Sequence, residues 1–332
     1  MDLRAHGEGL VWRRLTARRC RASIAAAHQF RGEAFTVLRG LFREVGTDLV
    51  DTLTWGVLTR LPLVERAVRP VPRRPGWVRI AVRGTTFTVP DHRWWKVFVK
   101  QWEADTFRAY RAFVRPGDTV VDVGAWIGPT IMFATACGAR RILAIEPNPA
   151  CRPYLEALKQ SIPPDKTELL ISTTGVFSVA GNAEFGIPGG AELAARASAS
   201  LFGRGTQIEV DTLPGLLAKH GITDPALVKI DIEGAEFAIP DQIATFSRMP
   251  GIRIFLSLHP PFAPGDSYKD DMMAALEGFD IYDAHLEPVT RETLSARLHS
   301  NDPKPSWGTV FGNFFEVALA PRGEPLRRVR KS

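Results

Sequence analysis

The chain has 332 residues, 45% of them hydrophobic and 23% charged, with a formal net charge of +6. That is enough apolar material for one large core plus an extension, and no apolar run reaches the roughly 18 residues of a membrane-spanning helix. Cys20, Cys137 and Cys151 have neither metal-ligand spacing nor the even number of a disulfide framework.

In chain order, Val11–Arg21 is broken by Arg13, Arg14, Arg18 and Arg19 before any apolar core forms, so no signal peptide is read there. With the unpaired cysteines, this sets the expectation of a reducing, cytoplasmic setting. Charge is unevenly spread: through Arg115 there are 22 Lys or Arg against 10 Asp or Glu, and beyond it 20 against 26. A nucleic-acid partner would want aromatics interleaved with that charge, or a known module, and neither is present. An acidic ligand, an anionic membrane surface or plain solvation of the arginines all remain open.

Residues 22–67 carry a helical period through Phe35, Leu38, Phe42, Val45, Leu49 and Leu53. The expectation is a helical cap on the remainder of the chain or on a second copy, as in a homodimer. Val68–Gly76 reads as a Pro-rich linker, and Trp77–Val89 as a hairpin turning near Gly84. Trp94, Trp95 and Trp102 crowd the approach to a helix at Asp105–Val114, as core or as the wall of a cleft.

From Thr119 onward strands and helices alternate, which calls for a parallel sheet with right-handed crossovers. Strands are expected at 119–123, 141–146, 168–172, 227–232, 252–258, 279–283 and 314–319. Short strands at 183–185 and 207–211 and a helix at 213–220 form an excursion between the third and fourth. Val120-Asp-Val-Gly-Ala-Trp-Ile-Gly128 is a buried strand running into a glycine turn, with a helix at 129–137 after it. Such a turn brings backbone N–H groups and a helix N-terminus towards a ligand. A dinucleotide site wants glycine at its second position so that a pyrophosphate can touch the backbone. Trp126 stands there, which argues for a cofactor without a pyrophosphate.

The second strand ends on Glu146, about 20 residues after the turn, where nucleotide folds hold a ribose diol. Asn148 and Pro149 read as the N-cap and first residue of the next helix. In Leu227-Val-Lys-Ile-Asp-Ile232, Val228, Ile230 and Ile232 share one face and leave Lys229 and Asp231 on the other. Charges on a central strand must be paired or functional, because an unpaired buried charge is costly.

The runs Arg115-Pro-Gly-Asp-Thr-Val-Val-Asp-Val-Gly-Ala-Trp-Ile-Gly128, Ala144-Ile-Glu-Pro-Asn-Pro149 and Val228-Lys-Ile-Asp-Ile-Glu-Gly-Ala-Glu236 resemble FkbM-type methyltransferases. The resemblance covers roughly Trp77 to Leu319. It implies an α/β class I methyltransferase fold, Rossmann-like, with a seven-stranded mostly parallel sheet flanked by helices, preceded here by a helical extension and a β-hairpin. It divides the chain into a basic extension and linker (1–75), a lead-in hairpin and helix (76–116), the methyltransferase domain (117–320) and a basic tail (321–332).

S-adenosylmethionine is the cofactor implied, contacted by Asp122, Gly124, Ala125, Trp126, Gly128 and Glu146. Asp231, Glu233 and Glu236 fall on the family's acidic motif beside the reaction centre. The implied reaction is O-methylation of a saccharide, glycan or natural product. Two departures stand out: Trp126 replaces a more usual Asn, and Ser257-Leu-His259 lacks the carboxylate that often precedes the His.

Methyl transfer to a hydroxyl needs in-line positioning and a base. Asp231 is expected as base or orienting carboxylate, helped by Glu233, with His259 as second choice and Lys229 keeping Asp231 ionised. A purely structural Lys229–Asp231 pair is the plain alternative. A nicotinamide oxidoreductase and a non-catalytic cofactor-binding module are the competing readings. The first is disfavoured by Trp126 and by the lack of a Tyr-x-x-x-Lys pair.

Overall fold

The computed structural model describes residues 66–99, 103–186, 206–306, 308 and 312–326. The helical period from Phe35 to Leu53, Trp102 and the basic run at 327–331 lie outside the described residues. Three antiparallel strands come first: β1 (Arg66–Pro70), β2 (Trp77–Val82) and β3 (Thr85–Pro90). β2 and β3 form the expected hairpin, turning through Arg83 and Gly84, both at positive φ.

The linker reading needs correction at its start. Arg66–Pro70 pairs with β2, from Arg66 opposite Val82 to Pro70 opposite Val78. Pro70 is the last residue of the strand and Pro72 and Pro75 lie in the turn beyond, where a missing N–H breaks no ladder.

Two helices follow, Arg93–Phe98 and Ala104–Phe113, and then the strands β4 (Thr119–Val123), β5 (Arg141–Ile145) and β6 (Glu168–Ser172). A small sheet of β7 (Gly175–Val176), β8 (Gly181–Phe185) and β9 (Thr206–Asp211) is the excursion read from the sequence. The chain returns through helix Leu213–Lys219 to β10 (Leu227–Ile230), β11 (Arg253–Leu258), β12 (Phe279–Asp283) and β13 (Phe315–Pro321).

The main sheet has the order β12-β13-β11-β10-β4-β5-β6, with β13 antiparallel to both neighbours and the other pairs parallel. This is the class I methyltransferase topology. The chain runs outward from β4 through β5 to β6, then resumes on the other side at β10. The strand order therefore reverses between β4 and β10, and a ligand crevice opens there at the carboxyl ends.

Alternation along the central strands sorts side chains to the two faces. Val121, Val123, Val228 and Ile230 are buried in one core, Val120 and Leu227 in the other. Asp122 and Lys229 lie directly opposite each other in the β4–β10 register.

Helix Pro129–Ala136 is apolar all round and buried along its length from Pro129 to Thr135, which requires cover on every side. The sheet covers one side. Phe98, Phe107 and Tyr110 of the preceding helices cover another, their rings 4.1–6.1 Å from that of Phe133. Strands β2 and β3 also pack on this helix, so the segment before β4 is part of the main core. Trp95 is fully buried and Trp94 half-buried, its ring edge-on to Trp126 at 5.9 Å. Among the described residues, no helix is long and apolar enough to cross a membrane.

Candidate active site

The glycine turn is dictated by close approach. Gly124 has φ 81°, and a Cβ there would lie 1.9 Å from the backbone oxygen of Asp231. Only glycine lets the ends of β4 and β10 come so near. Gly128 has φ 94° and caps helix Pro129–Ala136. Trp126 also adopts positive φ, 50°, a conformation costly for a bulky side chain.

The turn's own N–H groups are largely used internally. Those of Gly124 and Ala125 donate to Ile145 O, and that of Gly128 donates to Ala125 O. The expected presentation of free backbone donors to a ligand is therefore limited.

Glu146 explains the strained tryptophan. One carboxylate oxygen accepts the Trp126 N–H at 2.8 Å, and the other accepts the Asn148 N–H at 2.9 Å. The next helix does not start at Pro149 as expected. Asn148 instead folds its side chain onto the Ala150 N–H, and the helix runs Arg152–Ser161 with Cys151 as N-cap. Burial pushes the Glu146 carboxyl up to about 7, only partly offset by the two N–H donors. Each oxygen keeps a second lone pair for a hydroxyl group.

Lys229 ties the two central strands together at their ends. Its Nζ donates to Gly124 O at 2.8 Å and stands 3.4 Å from both Asp122 Oδ1 and Asp231 Oδ2. Burial works against its charge, but Asp231 and Asp122 outweigh burial and hold the ammonium above its ordinary range. Burial raises the Asp122 carboxyl, while Lys229 and the Thr130 hydroxyl that donates to it limit the rise. Burial likewise opposes the charge on Asp231, yet Lys229 and His259 hold it below its usual value. Asp231 is thus ionised across the neutral range.

His259 follows β11, directly opposite this carboxylate. Its Nδ1 lies 3.0 Å from Glu236 Oε1, the same oxygen that accepts the His259 backbone N–H. The other Glu236 oxygen accepts the N–H of Gly234. His259 Nε2 faces Asp231 Oδ1 at 3.5 Å and Glu233 Oε2 at 3.8 Å. Burial lowers the imidazole's affinity for a proton, but Glu236, Asp231 and Glu233 raise it to about 9. Burial raises Glu233 to about 7 against the pull of His259. Glu233 and Gly234 are both at positive φ, 52° and 101°, and a Cβ on Gly234 would strike Phe262.

These groups surround a solvent-open cleft. Gly124, Ala125, Trp126, Glu146, Lys229, Asp231 and Glu233 line it, and His259 stands behind the two carboxylates. Asp122 and Gly128 lie outside the lining; one anchors Lys229 and Thr130, the other starts a helix.

Sequence reasoning missed two further acids. Glu103, at the head of helix Ala104–Phe113, lines the cleft, and burial together with Asp231 raises its carboxyl well above normal. Glu316 on β13 is raised to about 7, by burial first and then by Asp231. An acid between apolar residues in Phe315-Glu-Val317 was the available signal, because an inward-facing charge on a buried strand is rarely idle.

Residues 122–279 match the family model of the methyltransferase FkbM domain. Over that stretch the chain is similar to FkbM methyltransferase domains. No curated relative matches it. Among solved structures it is similar to a Streptococcus mutans protein described as a SAM-dependent methyltransferase, with TM-score 0.37 and 11% identity over 76% of this chain and 57% of that one. It is also similar to methyltransferase FkbM from Methylobacillus flagellatus KT, with TM-score 0.35 and 13% identity over 69% and 62%. A third is Aeropyrum pernix fibrillarin with natively bound S-adenosyl-L-methionine, with TM-score 0.34 and 12% identity over 77% and 99%. The match spans 57% of the length of the Streptococcus protein and 62% of that of the Methylobacillus protein.

Proposed function

We propose that this FkbM-like domain transfers a methyl group from S-adenosylmethionine to a hydroxyl of a saccharide, glycan or natural-product acceptor. One observation carries the reading: Asp231, Glu233 and His259 converge, with ligating atoms within 4.8 Å of one another, on the cleft beside the glycine turn.

The cleft suits the cofactor. Glu146 offers a rigidly held carboxylate to a ribose diol, and Gly124–Trp126 form the adjoining wall. The lining holds more acids than cations, which favours a positively charged sulfonium over a pyrophosphate. When bound, the cofactor supplies an electrophilic methyl group.

The protein's own residues do the rest. Asp231, kept ionised by Lys229, accepts a hydrogen bond from the acceptor hydroxyl and fixes the oxygen's direction. Such orientation accounts for several kcal/mol of a barrier, about 7 or more in favourable cases. Glu233 and His259 adjoin it, and the cluster titrates as a unit that takes up the hydroxyl proton.

Transfer of labelled methyl from S-adenosylmethionine to a panel of saccharides, lipid-linked glycans and natural-product scaffolds tests the proposal. Labelling of a hydroxyl that disappears in Asp231→Asn supports it. Cofactor binding with labelling only of amine acceptors refutes it.

A further inference from the structure

We propose that Asp231, Glu233 and His259 form a binding site for one divalent cation of the Mn²⁺ to Zn²⁺ series. Each offers one ligand atom, and these atoms lie within 4.8 Å of one another. The two carboxylates line the cleft and the imidazole sits behind them. The donor set, two carboxylate oxygens and one imidazole nitrogen, suits cations of intermediate hardness.

The histidine itself points to a ligand. His259 is 5% exposed. Its Nδ1 is committed to Glu236, a fully buried carboxylate that also fixes the backbone N–H groups of His259 and Gly234. This is how a metal-ligating histidine is held, with one nitrogen oriented by a carboxylate and the other left for the ion.

Among the described residues, the other nitrogen, Nε2, has no hydrogen-bond partner at ordinary length. Its nearest carboxylate oxygens stand at 3.5 and 3.8 Å. A charge-assisted N–H···O bond closes to about 2.7–2.9 Å. Ligands about 2.0–2.2 Å from a cation are instead separated from one another by about 3.0–3.5 Å. The Nε2–Asp231 distance falls at the upper end of that range, and Glu233, at 3.8 Å, would close by a few tenths of an ångström to join a shell; both are too long for hydrogen bonds.

Charge leads the same way. Among the described residues, Asp231, Glu233, Glu236, Glu103 and Glu316 gather around two cationic side chains, Lys229 and His259. Such an excess of acid, part-buried around a buried Glu236, is stable when a cation joins it or when protons neutralise it. Three protein ligands leave coordination positions open. An oxygen bound at such a position loses its proton more readily, which is the step a hydroxyl acceptor needs. Only this last consequence rests on the methyltransferase reading; the site itself does not.

The test uses chelator-stripped full-length protein, without acceptor or turnover. Free Mn²⁺ is followed by electron paramagnetic resonance, and Zn²⁺ is added as competitor. One saturable site per chain is expected. Glu233→Gln and His259→Ala should each weaken it at least tenfold, and Glu236→Gln by about 10- to 100-fold. Asp266→Asn, which alters an exposed acid paired with Lys269, should leave it unchanged. Binding of S-adenosylmethionine by each variant, measured calorimetrically, shows that the fold is intact.

No saturable binding of either cation at millimolar concentration overturns the proposal. So does binding that survives both Glu233→Gln and His259→Ala, since it must then lie elsewhere. A protein that binds Mn²⁺ here but methylates nothing overturns the functional reading and leaves the cation site standing.

Discussion

Replacing Glu146 by Gln keeps the shape of a side chain that touches both the cofactor wall and the strained turn, and removes its charge. The cofactor effect comes from hydrogen bonds to an ionised acceptor, each worth about 1.5–3 kcal/mol. Loss of one should weaken S-adenosylmethionine binding by about 10- to 150-fold.

The effect on stability depends on pH. Burial raises the Glu146 carboxyl from its ordinary 4.5 to about 7. Between those values the folded protein holds the proton more tightly than the unfolded chain. The resulting stabilisation is complete below pH 4.5 and is lost as pH rises through 7. That displacement corresponds to about 3 kcal/mol.

Gln is free of this charge penalty but has one acceptor oxygen for two N–H groups, those of Trp126 and Asn148. An unsatisfied donor costs about 1–3 kcal/mol. The variant should therefore be less stable than the parent at pH 5 and nearly equal to it at pH 8. In the parent, cofactor affinity should fall about tenfold per pH unit below 7, as Glu146 takes up a proton. Calorimetry at pH 6 and 8 and urea unfolding at pH 5 and 8 read all of this. Unchanged affinity in the variant, or a stability difference independent of pH, refutes the reasoning.

Asp231→Asn should retain cofactor binding and lose about 100-fold or more in methyl transfer, read as initial rates under saturating cofactor. Gly124→Ala meets the Asp231 carbonyl at 1.9 Å as well as an unfavourable φ, so it should cost upwards of about 3 kcal/mol in urea unfolding and abolish cofactor binding. Phe133→Ala opens a cavity among Phe98, Phe107 and Tyr110, with an expected loss of about 3–5 kcal/mol and no change in cofactor affinity per folded molecule. A chain beginning at Arg66 keeps β1, whereas one beginning at Pro75 exposes the edge of β2; the second should melt lower and aggregate sooner in light scattering on heating.

Much of the fold was legible because local chemistry and tertiary demand agree. A buried parallel strand must be apolar, so β4, β5, β10 and β11 stand out as Val-, Ile- and Leu-rich runs, and their order points to the parallel sheet. The close approach at Gly124 was legible as a glycine between a strand and a helix. Asn148 was misread as a cap because Asx turns and N-caps use the same residue, and local sequence does not separate them. β1 was misread as linker because prolines signal a break, although they fall just where the strand ends.

The sequence by itself determined which polar residues stand at the ends of the central strands. Lys229 and Asp231 on one face of a central strand, Glu146 at a strand end, and His259 after β11 follow from period-two alternation and from strand order alone. Tertiary structure decided what those residues do to one another. Protonation depends on distance and burial: Lys229 and His259 keep Asp231 ionised, while burial lifts Glu233, Glu146 and Glu316 to near neutrality. Glu103 lines the cleft and Glu316 acts on Asp231 beside it, from segments more than 200 residues apart in the chain. No local pattern records such a meeting, because Coulomb interaction and desolvation act through space and not along the chain.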